Sequence, residues 1–186
     1  MKKIVVFASG SGSNFQSICD FFQYKKRFEV AALVCNNKKA GVIALAKKYQ
    51  IDTTLVNLNF FQSEDFLNEL KILNPDLLVL AGFLWKIPNK IVKNFRNRII
   101  NIHPSLLPKY GGKGMYGINI HKAVIKNKEK QSGLTIHYVN EEYDQGGTIF
   151  QKVVDVDVKT PEQLSEKILK LEHRYYPEII KKILYD

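Results

Sequence analysis

Asn101-Ile102-His103 closes an apolar run and is followed at once by Pro104. If that run is a strand, residues 101 and 103 point to one face and Ile102 to the other. The proline keeps His103 extended, so the alternation holds to the strand's end. A carboxamide donor and an imidazole then share a rim at the carboxyl end of a strand, where open parallel sheets bind their ligands. A third group, Asp144, lies in Tyr143-Asp144-Gln145-Gly146-Gly147, a tight turn between two apolar stretches. If its carboxylate reaches His103 it raises the imidazole's pKa, and the imidazolium can stabilise an oxyanion and carry protons. Each residue also has a plain structural use, since Asn and His often only pack and Asp in a turn often caps its own backbone.

Ser9-Gly10-Ser11-Gly12-Ser13-Asn14 joins the apolar run Ile4 to Ala8 to a segment in which Phe15, Ile18, Cys19 and Phe22 recur at helical spacing. Backbone N–H groups at such a strand-to-helix turn can hold a phosphate. A dinucleotide fingerprint needs a third glycine where this chain has Phe15, and an acid where it has Cys35-Asn36-Asn37. No Gly-Lys-Ser/Thr follows, which excludes a P-loop. A site for one phosphate, made by Gly12, Ser13 and Asn14, survives beside the alternative of a capped turn with no ligand.

The surplus of 28 Lys+Arg over 18 Asp+Glu, a formal charge of +10, suggests an anionic partner. The lysines are scattered along helical segments with little aromatic interleaving, a pattern that favours a solvated surface steering small anions over a nucleic-acid patch. Cys19 and Cys35 have no metal-ligand spacing and read as buried thiols in a reducing cytoplasm. The apolar start is too short for a signal peptide or a membrane span.

The elements that must position these groups follow from the order of apolar runs and amphipathic stretches, which is that of β-α-β units around a parallel sheet. Strands are expected at Ile4 to Ala8, Val30 to Cys35, Thr53 to Val56, Leu77 to Ala81 and Arg98 to Ile102, with helices after the first glycine loop and from about Ala40 to Tyr49. Ser63 is expected to cap a helix carrying Glu64 and Asp65 in its first turn. Past Pro104 the pattern changes. A glycine-rich loop, Lys109 to Gly117, leads to a short helix at Ile118 to Lys126, and strands at Leu134 to Val139 and Thr148 to Val154 are expected to be antiparallel neighbours. Thr160-Pro161-Glu162-Gln163 starts a terminal helix, which Pro177 is expected to break or kink. No repeat or long linker interrupts the 186 residues, so one domain is the economical reading.

Asn101-Ile102-His103-Pro104-Ser105-Leu106-Leu107-Pro108 resembles the signature of the folate-dependent formyltransferases, and Gly133-Leu134-Thr135-Ile136-His137-Tyr138-Val139 with Asp144-Gln145-Gly146 is similar to their second motif. Gly10-Ser11-Gly12-Ser13-Asn14, Leu80-Ala81-Gly82-Phe83 and Glu172-His173 resemble the branch that formylates glycinamide ribonucleotide. The resemblance implies an α/β, single-domain, Rossmann-like fold over residues 1–186: a mostly parallel twisted sheet, helices on both faces and an antiparallel C-terminal part. Residues 1–100 would form the phosphate-binding half and 101–186 the catalytic and folate-binding half. The implied reaction, in purine synthesis, is direct attack of the acceptor amine on 10-formyltetrahydrofolate, a co-substrate, with neither metal nor covalent intermediate. Asn101, His103 and Asp144 would be catalytic. Gly12, Ser13 and Asn14 would anchor the acceptor phosphate, and Glu172 would accept from its ribose or amine end. The folate would lie against Leu84, Trp85, Lys86, Ile87 and Asn101, and against Val139 and Asn140 in the turn to Asp144. Partners would be small molecules in the cytoplasm, with no nucleic acid and no membrane, acting on a monomer or weak homodimer.

Two departures bear on the folate. Where relatives carry arginines this chain has Trp85 and Ser63, and Lys86 can replace the charge but not a bidentate fork. The loop Lys109 to Gly117 reads either as a lid over phosphate or as an ordinary surface loop. His121, His137 and His173 are expected to be packing or surface residues. Transfer to methionyl-tRNA or an amino sugar, and hydrolysis of the formyl group, are the near rivals, but the relatives that do so carry a further domain. A dehydrogenase is weakened by Phe15 and Asn36, and a nucleic-acid module predicts a lysine-lined groove.

Overall fold

The apolar runs pair into one sheet. In the computed structural model, which describes residues 1–185, β1 (Lys2–Ala8), β2 (Phe28–Cys35), β3 (Thr53–Leu55), β4 (Leu77–Leu80) and β5 (Ile99–His103) run parallel. β6 (Gln131–Tyr138) and β7 (Thr148–Asp155) add on antiparallel to give a seven-stranded sheet of order β3-β2-β1-β4-β5-β6-β7. Asp186, the last residue of the expected domain, lies outside the described residues.

Strand alternation divides the core into two layers. Ile4, Val6 and Ala8 of β1 face the layer that receives Phe15 and Ile18 of α1 (Ser13–Phe22), Val42 of α2 (Val42–Lys48), Val124 of α6 (Ile118–Lys126) and Ile168 of α7 (Pro161–Tyr185). Val5 and Phe7 face the other, with Phe61 of α3 (Leu58–Phe61), Leu67 of α4 (Glu64–Leu73) and Ile91 of α5 (Asn89–Asn94). α3 and α5 were not expected from the sequence, because runs of four and six residues are too short to display a helical period. Ser63 caps α4 as expected, its hydroxyl accepting from the Phe66 N–H.

Of the break or kink expected at Pro177, the break does not occur. α7 begins with a reciprocal capping box, Gln163 N–H to Thr160 Oγ1 at 3.2 Å and Thr160 N–H to Gln163 Oε1 at 3.3 Å. It then runs unbroken for 25 residues with Pro177 inside it. Pro177 removes the N–H that the His173 carbonyl would have used, and Ser17 Oγ of α1 donates to that carbonyl at 2.7 Å instead. A neighbouring helix therefore supplies the hydrogen bond whose loss usually ends a helix at proline. One residue before Pro177, the buried Tyr176 hydroxyl donates to the Leu80 carbonyl at 2.9 Å. That bond ties α7 to the carboxyl ends of the central strands and brings Glu172 to the same rim.

Ser17→Ala should therefore lower the unfolding free energy by about 1–2 kcal/mol, the cost of an unpaired buried acceptor, with the urea m-value unchanged. Unaltered stability in urea denaturation would mean that Ser17 is not what carries the helix through Pro177.

Candidate functional site

The carboxyl ends of β1, β4 and β5 open on a cavity of about 700 Å³. Asn101 and His103 reach it because they alternate with the buried Ile100 and Ile102. Asp144 reaches it through the turn after β6, where it takes a left-handed backbone at φ 55°. The turn is tight enough that a side chain at Gly146 would run into the Tyr138 carbonyl.

These groups meet, but not in the way the sequence suggested. His103, only 5% exposed, has Nε2 2.8 Å from the carbonyl of Tyr110. A carbonyl only accepts, so Nε2 carries the proton. Nδ1 then lies 3.7 Å from Asp144 Oδ2, close enough for charge to act but too far for a direct hydrogen bond. Asp144 does act to raise the imidazole's pKa, as expected, but burial outweighs it. Burial is the strongest influence on His103 and lowers its pKa; Asp144 and the Tyr110 carbonyl oppose it, His137 adds to it, and the balance stays below the ordinary 6.5. His103 is thus neutral at pH 7. Burial disfavours the Asp144 carboxylate too, yet its pKa stays below the usual range, with the Gly112 N–H donating to Oδ2 at 2.9 Å.

His137 belongs to this cluster, although the sequence alone favoured a packing or surface role. Antiparallel pairing sets it opposite Asn101. Its Nδ1 lies 2.8 Å from the Tyr138 carbonyl and therefore donates, which leaves Nε2 to accept from Asn101 Nδ2 at 3.2 Å. Asn101 Nδ2 also sits 3.5 Å from Asp144 Oδ1, so the amide nitrogen, not its oxygen, is the end turned toward the carboxylate. Its place in the Gly133-to-Val139 motif was a sequence signal, but no local pattern reveals the register that sets it opposite Asn101. His121 lines the cavity as well; burial first, then His103, push its pKa down to about 4. The His173 backbone carbonyl accepts from Ser17, and His173 does not line the cavity.

On the phosphate side the structure separates the predicted residues. Asn14 lines the cavity, where its Nδ2 donates to Glu172 Oε2 at 2.6 Å, and its Oδ1 is buried without a partner among the described residues. Burial pushes the Glu172 carboxyl up to about 7, and the Asn14 hydrogen bond offsets this only in part. Gly12 and Ser13 do not line the cavity. Gly12 has φ 86°, and a Cβ there would come within 2.7 Å of the Val42 side chain, so the glycine is demanded by backbone geometry and packing whether or not an anion binds. The helix it precedes has no side-chain cap, which leaves first-turn N–H groups for an anion.

The residues expected to meet folate, Leu84, Trp85, Lys86, Ile87, Val139 and Asn140, all line the cavity with Asn101. Trp85 packs its ring on Phe61 at 5.6 Å between centroids, and Lys86 Nζ lies 5.7 Å from the centroid of Tyr143. Ser63 is occupied in capping α4. The loop from Lys109 to Gly117 is a wall of the cavity: Gly112 to Gly117 line it, and the Gly112 N–H donates to Asp144 Oδ2 at 2.9 Å.

A sequence profile of the formyl transferase family matches residues 2–180. A phosphoribosylglycinamide formyltransferase of Bacillus subtilis is 35% identical over 99% of this chain and 95% of its own length. The chloroplastic phosphoribosylglycinamide formyltransferase of Arabidopsis thaliana is 40% identical over 96% of the chain. The chain spans 64% of that relative and 60% of its counterpart in Vigna unguiculata. The crystal structure of glycinamide ribonucleotide transformylase 1 from Geobacillus kaustophilus superposes with a TM-score of 0.89 at 34% identity, over 99% of both chains.

A carboxyl with a pKa of about 7 when folded, against 4.5 for the ordinary group, holds its proton more tightly in the native protein. The resulting stabilisation is complete below 4.5 and is lost as pH rises through 7. Glu172→Gln has no such loss, so between the two ends of that window its stability should gain about 2–3 kcal/mol on the unsubstituted protein. Urea denaturation at each pH reads the difference, and parallel pH curves for the two proteins would count against a buried, proton-binding Glu172.

Proposed function

Because this chain belongs to the formyl transferase family, we propose that it transfers the formyl group of 10-formyltetrahydrofolate to the amine of glycinamide ribonucleotide. The relatives and solved structures it matches over most of their length carry that activity in their names. One observation carries the reading: Asn101, His103 and Asp144 converge on the same cavity as the Asn14–Glu172 pair. An acyl acceptor, an acyl donor and the groups that handle charge between them need such a shared space, and about 700 Å³ is within the usual range for small-molecule sites.

The acceptor amine attacks the formyl carbon and negative charge builds on the formyl oxygen. Asn101 Nδ2 has two N–H bonds; His137 takes one, and the other, held only loosely by Asp144 Oδ1 at 3.5 Å, turns to that oxygen. A preorganised donor of this kind contributes about 3–4 kcal/mol to the transition state. His103 starts neutral with Nδ1 unprotonated, so it accepts the proton that the amine sheds. The imidazolium formed is stabilised by the Asp144 carboxylate 3.7 Å away and returns the proton to the departing folate nitrogen. The acceptor's phosphate binds at the uncapped start of α1, where Ser9, Gly10 and Asn14 line the cavity, while Glu172 accepts from the ribose or amine end. The folate packs on Leu84 to Ile87 and on Val139 and Asn140, with Lys86 offering a cation to its carboxylate. The excess positive charge draws both anionic substrates inward. The reading makes the chain a cytoplasmic enzyme of purine synthesis, a monomer or weak homodimer; no helix among the described residues is long and apolar enough to cross a membrane.

Purified protein given 10-formyltetrahydrofolate and glycinamide ribonucleotide should release tetrahydrofolate far faster than with water, an amino sugar or methionyl-tRNA as acceptor. Equal turnover with water would make it a hydrolase. His103→Ala should cut kcat by about 10³-fold and leave the acceptor KM within about threefold. Because His103 must be neutral to accept a proton, kcat/KM should fall as pH drops below the ordinary imidazole value. Removing the charge that holds that value up, in Asp144→Asn, should move the acid limb of the residual activity lower still.

A further inference from the structure

A single short strap holds both halves of the His103–Asp144 pair. The carbonyl of Tyr110 accepts from His103 Nε2 at 2.8 Å, and two residues on the Gly112 N–H donates to Asp144 Oδ2 at 2.9 Å. The strap is not relaxed backbone. Tyr110 has φ 57°, a left-handed conformation that is uncommon for a bulky residue and persists when its surroundings impose it.

What imposes it lies at the far end of the same side chain. The Tyr110 hydroxyl donates to Glu129 Oε1 at 3.0 Å and accepts from Asn127 Nδ2 at 2.8 Å, with Lys109 Nζ 3.3 Å from the same carboxylate oxygen. Asn127 and Glu129 are fixed in turn, because their N–H groups donate to the Ala123 and Val124 carbonyls of α6. Tyr110 and Glu129 line a second hollow of about 810 Å³ and are absent from the walls of the substrate cavity, as is Asn127. Their hydrogen bonds therefore serve no substrate contact, yet they end on the backbone that holds the imidazole.

We propose that Tyr110 is a positioning residue for formyl transfer: its hydroxyl, clamped between Asn127 and Glu129, holds the strap so that its carbonyl selects the Nε2–H tautomer of His103. The two neutral tautomers of an imidazole differ little in free energy, so one strong acceptor decides between them. With the proton on Nε2, Nδ1 keeps the lone pair that takes the amine's proton. Without the carbonyl a share of molecules would carry hydrogen on Nδ1 and could not take it. The kinetic part of this inference rests on the proposed formyl transfer; the tautomer does not.

Tyr110→Phe removes the hydroxyl and keeps the ring and the carbonyl. In the full-length protein, long-range ¹H–¹⁵N spectra at pH 8 should show unsubstituted His103 with a protonated Nε2 and a bare Nδ1, and Tyr110→Phe with values averaged between tautomers. His121 and His173 should not change. In steady-state assays the same variant should lose about tenfold in kcat, with both KM values within about twofold. Glu129→Ala, at the solvent side of the clamp, should give the same signature in weaker form and supplies the reading if Tyr110→Phe does not fold. The double variant should be no worse than Tyr110→Phe alone. An unchanged His103 spectrum and kcat in Tyr110→Phe, or losses that follow general unfolding across all histidines, would overturn the assignment. If the unsubstituted protein does not formylate glycinamide ribonucleotide, the proposed function fails, and the spectra alone decide the role of Tyr110.

Discussion

A buried imidazole and a neighbouring carboxylate have to find their hydrogen bonds inside the protein, and that requirement organises this site. Leaving either group unpaired would cost about 1–3 kcal/mol. The partners come from backbone: the Tyr110 carbonyl for His103, the Gly112 N–H for Asp144 and the Tyr138 carbonyl for His137. Backbone partners cannot swing away as side chains can, so the cluster is as rigid as the segments that carry it. The glycine-rich stretch after Pro108, which the sequence left open as a lid or a surface loop, is therefore structural at its start and forms a cavity wall beyond Gly112.

Burial also sets the charges, and in opposite directions for acid and base. It lowers His103 and raises Glu172 to about 7, so each is moved toward its neutral form. For a reaction that begins with a neutral amine and ends by returning a proton, a neutral imidazole beside a retained carboxylate is the useful starting state. The carboxylate keeps its charge despite its own desolvation, with the Gly112 N–H donating to it at 2.9 Å.

At the two positions where the resemblance implied arginines, the packing shows what Trp85 and Ser63 do. Trp85 packs with Phe83, also on the cavity wall, and with Phe61, and Ser63 caps a helix. Neither supplies a charge, which leaves Lys86, held near the Tyr143 ring, as the cation on that wall.

Much of this protein was legible one residue at a time. Alternating apolar strands, the capping box at Thr160 and the turn glycines near Asp144 are local patterns whose physics acts over a few residues, so they predicted most of the elements, the parallel first half and the rim that holds Asn101 and His103, whereas Glu172 was reached only through the resemblance. The motifs around those residues were enough to suggest the family. What the sequence could not reveal depends on contacts between distant segments. That α7 passes through Pro177 required Ser17 from another helix, and that His137 belongs to the site required the register of β6 against β5. The direction of the His103 shift was decided in the same way. Sequence names the carboxylate that attracts a proton to the imidazole, but only the folded chain sets how much water is excluded from it, and desolvation outweighs a charge 3.7 Å away.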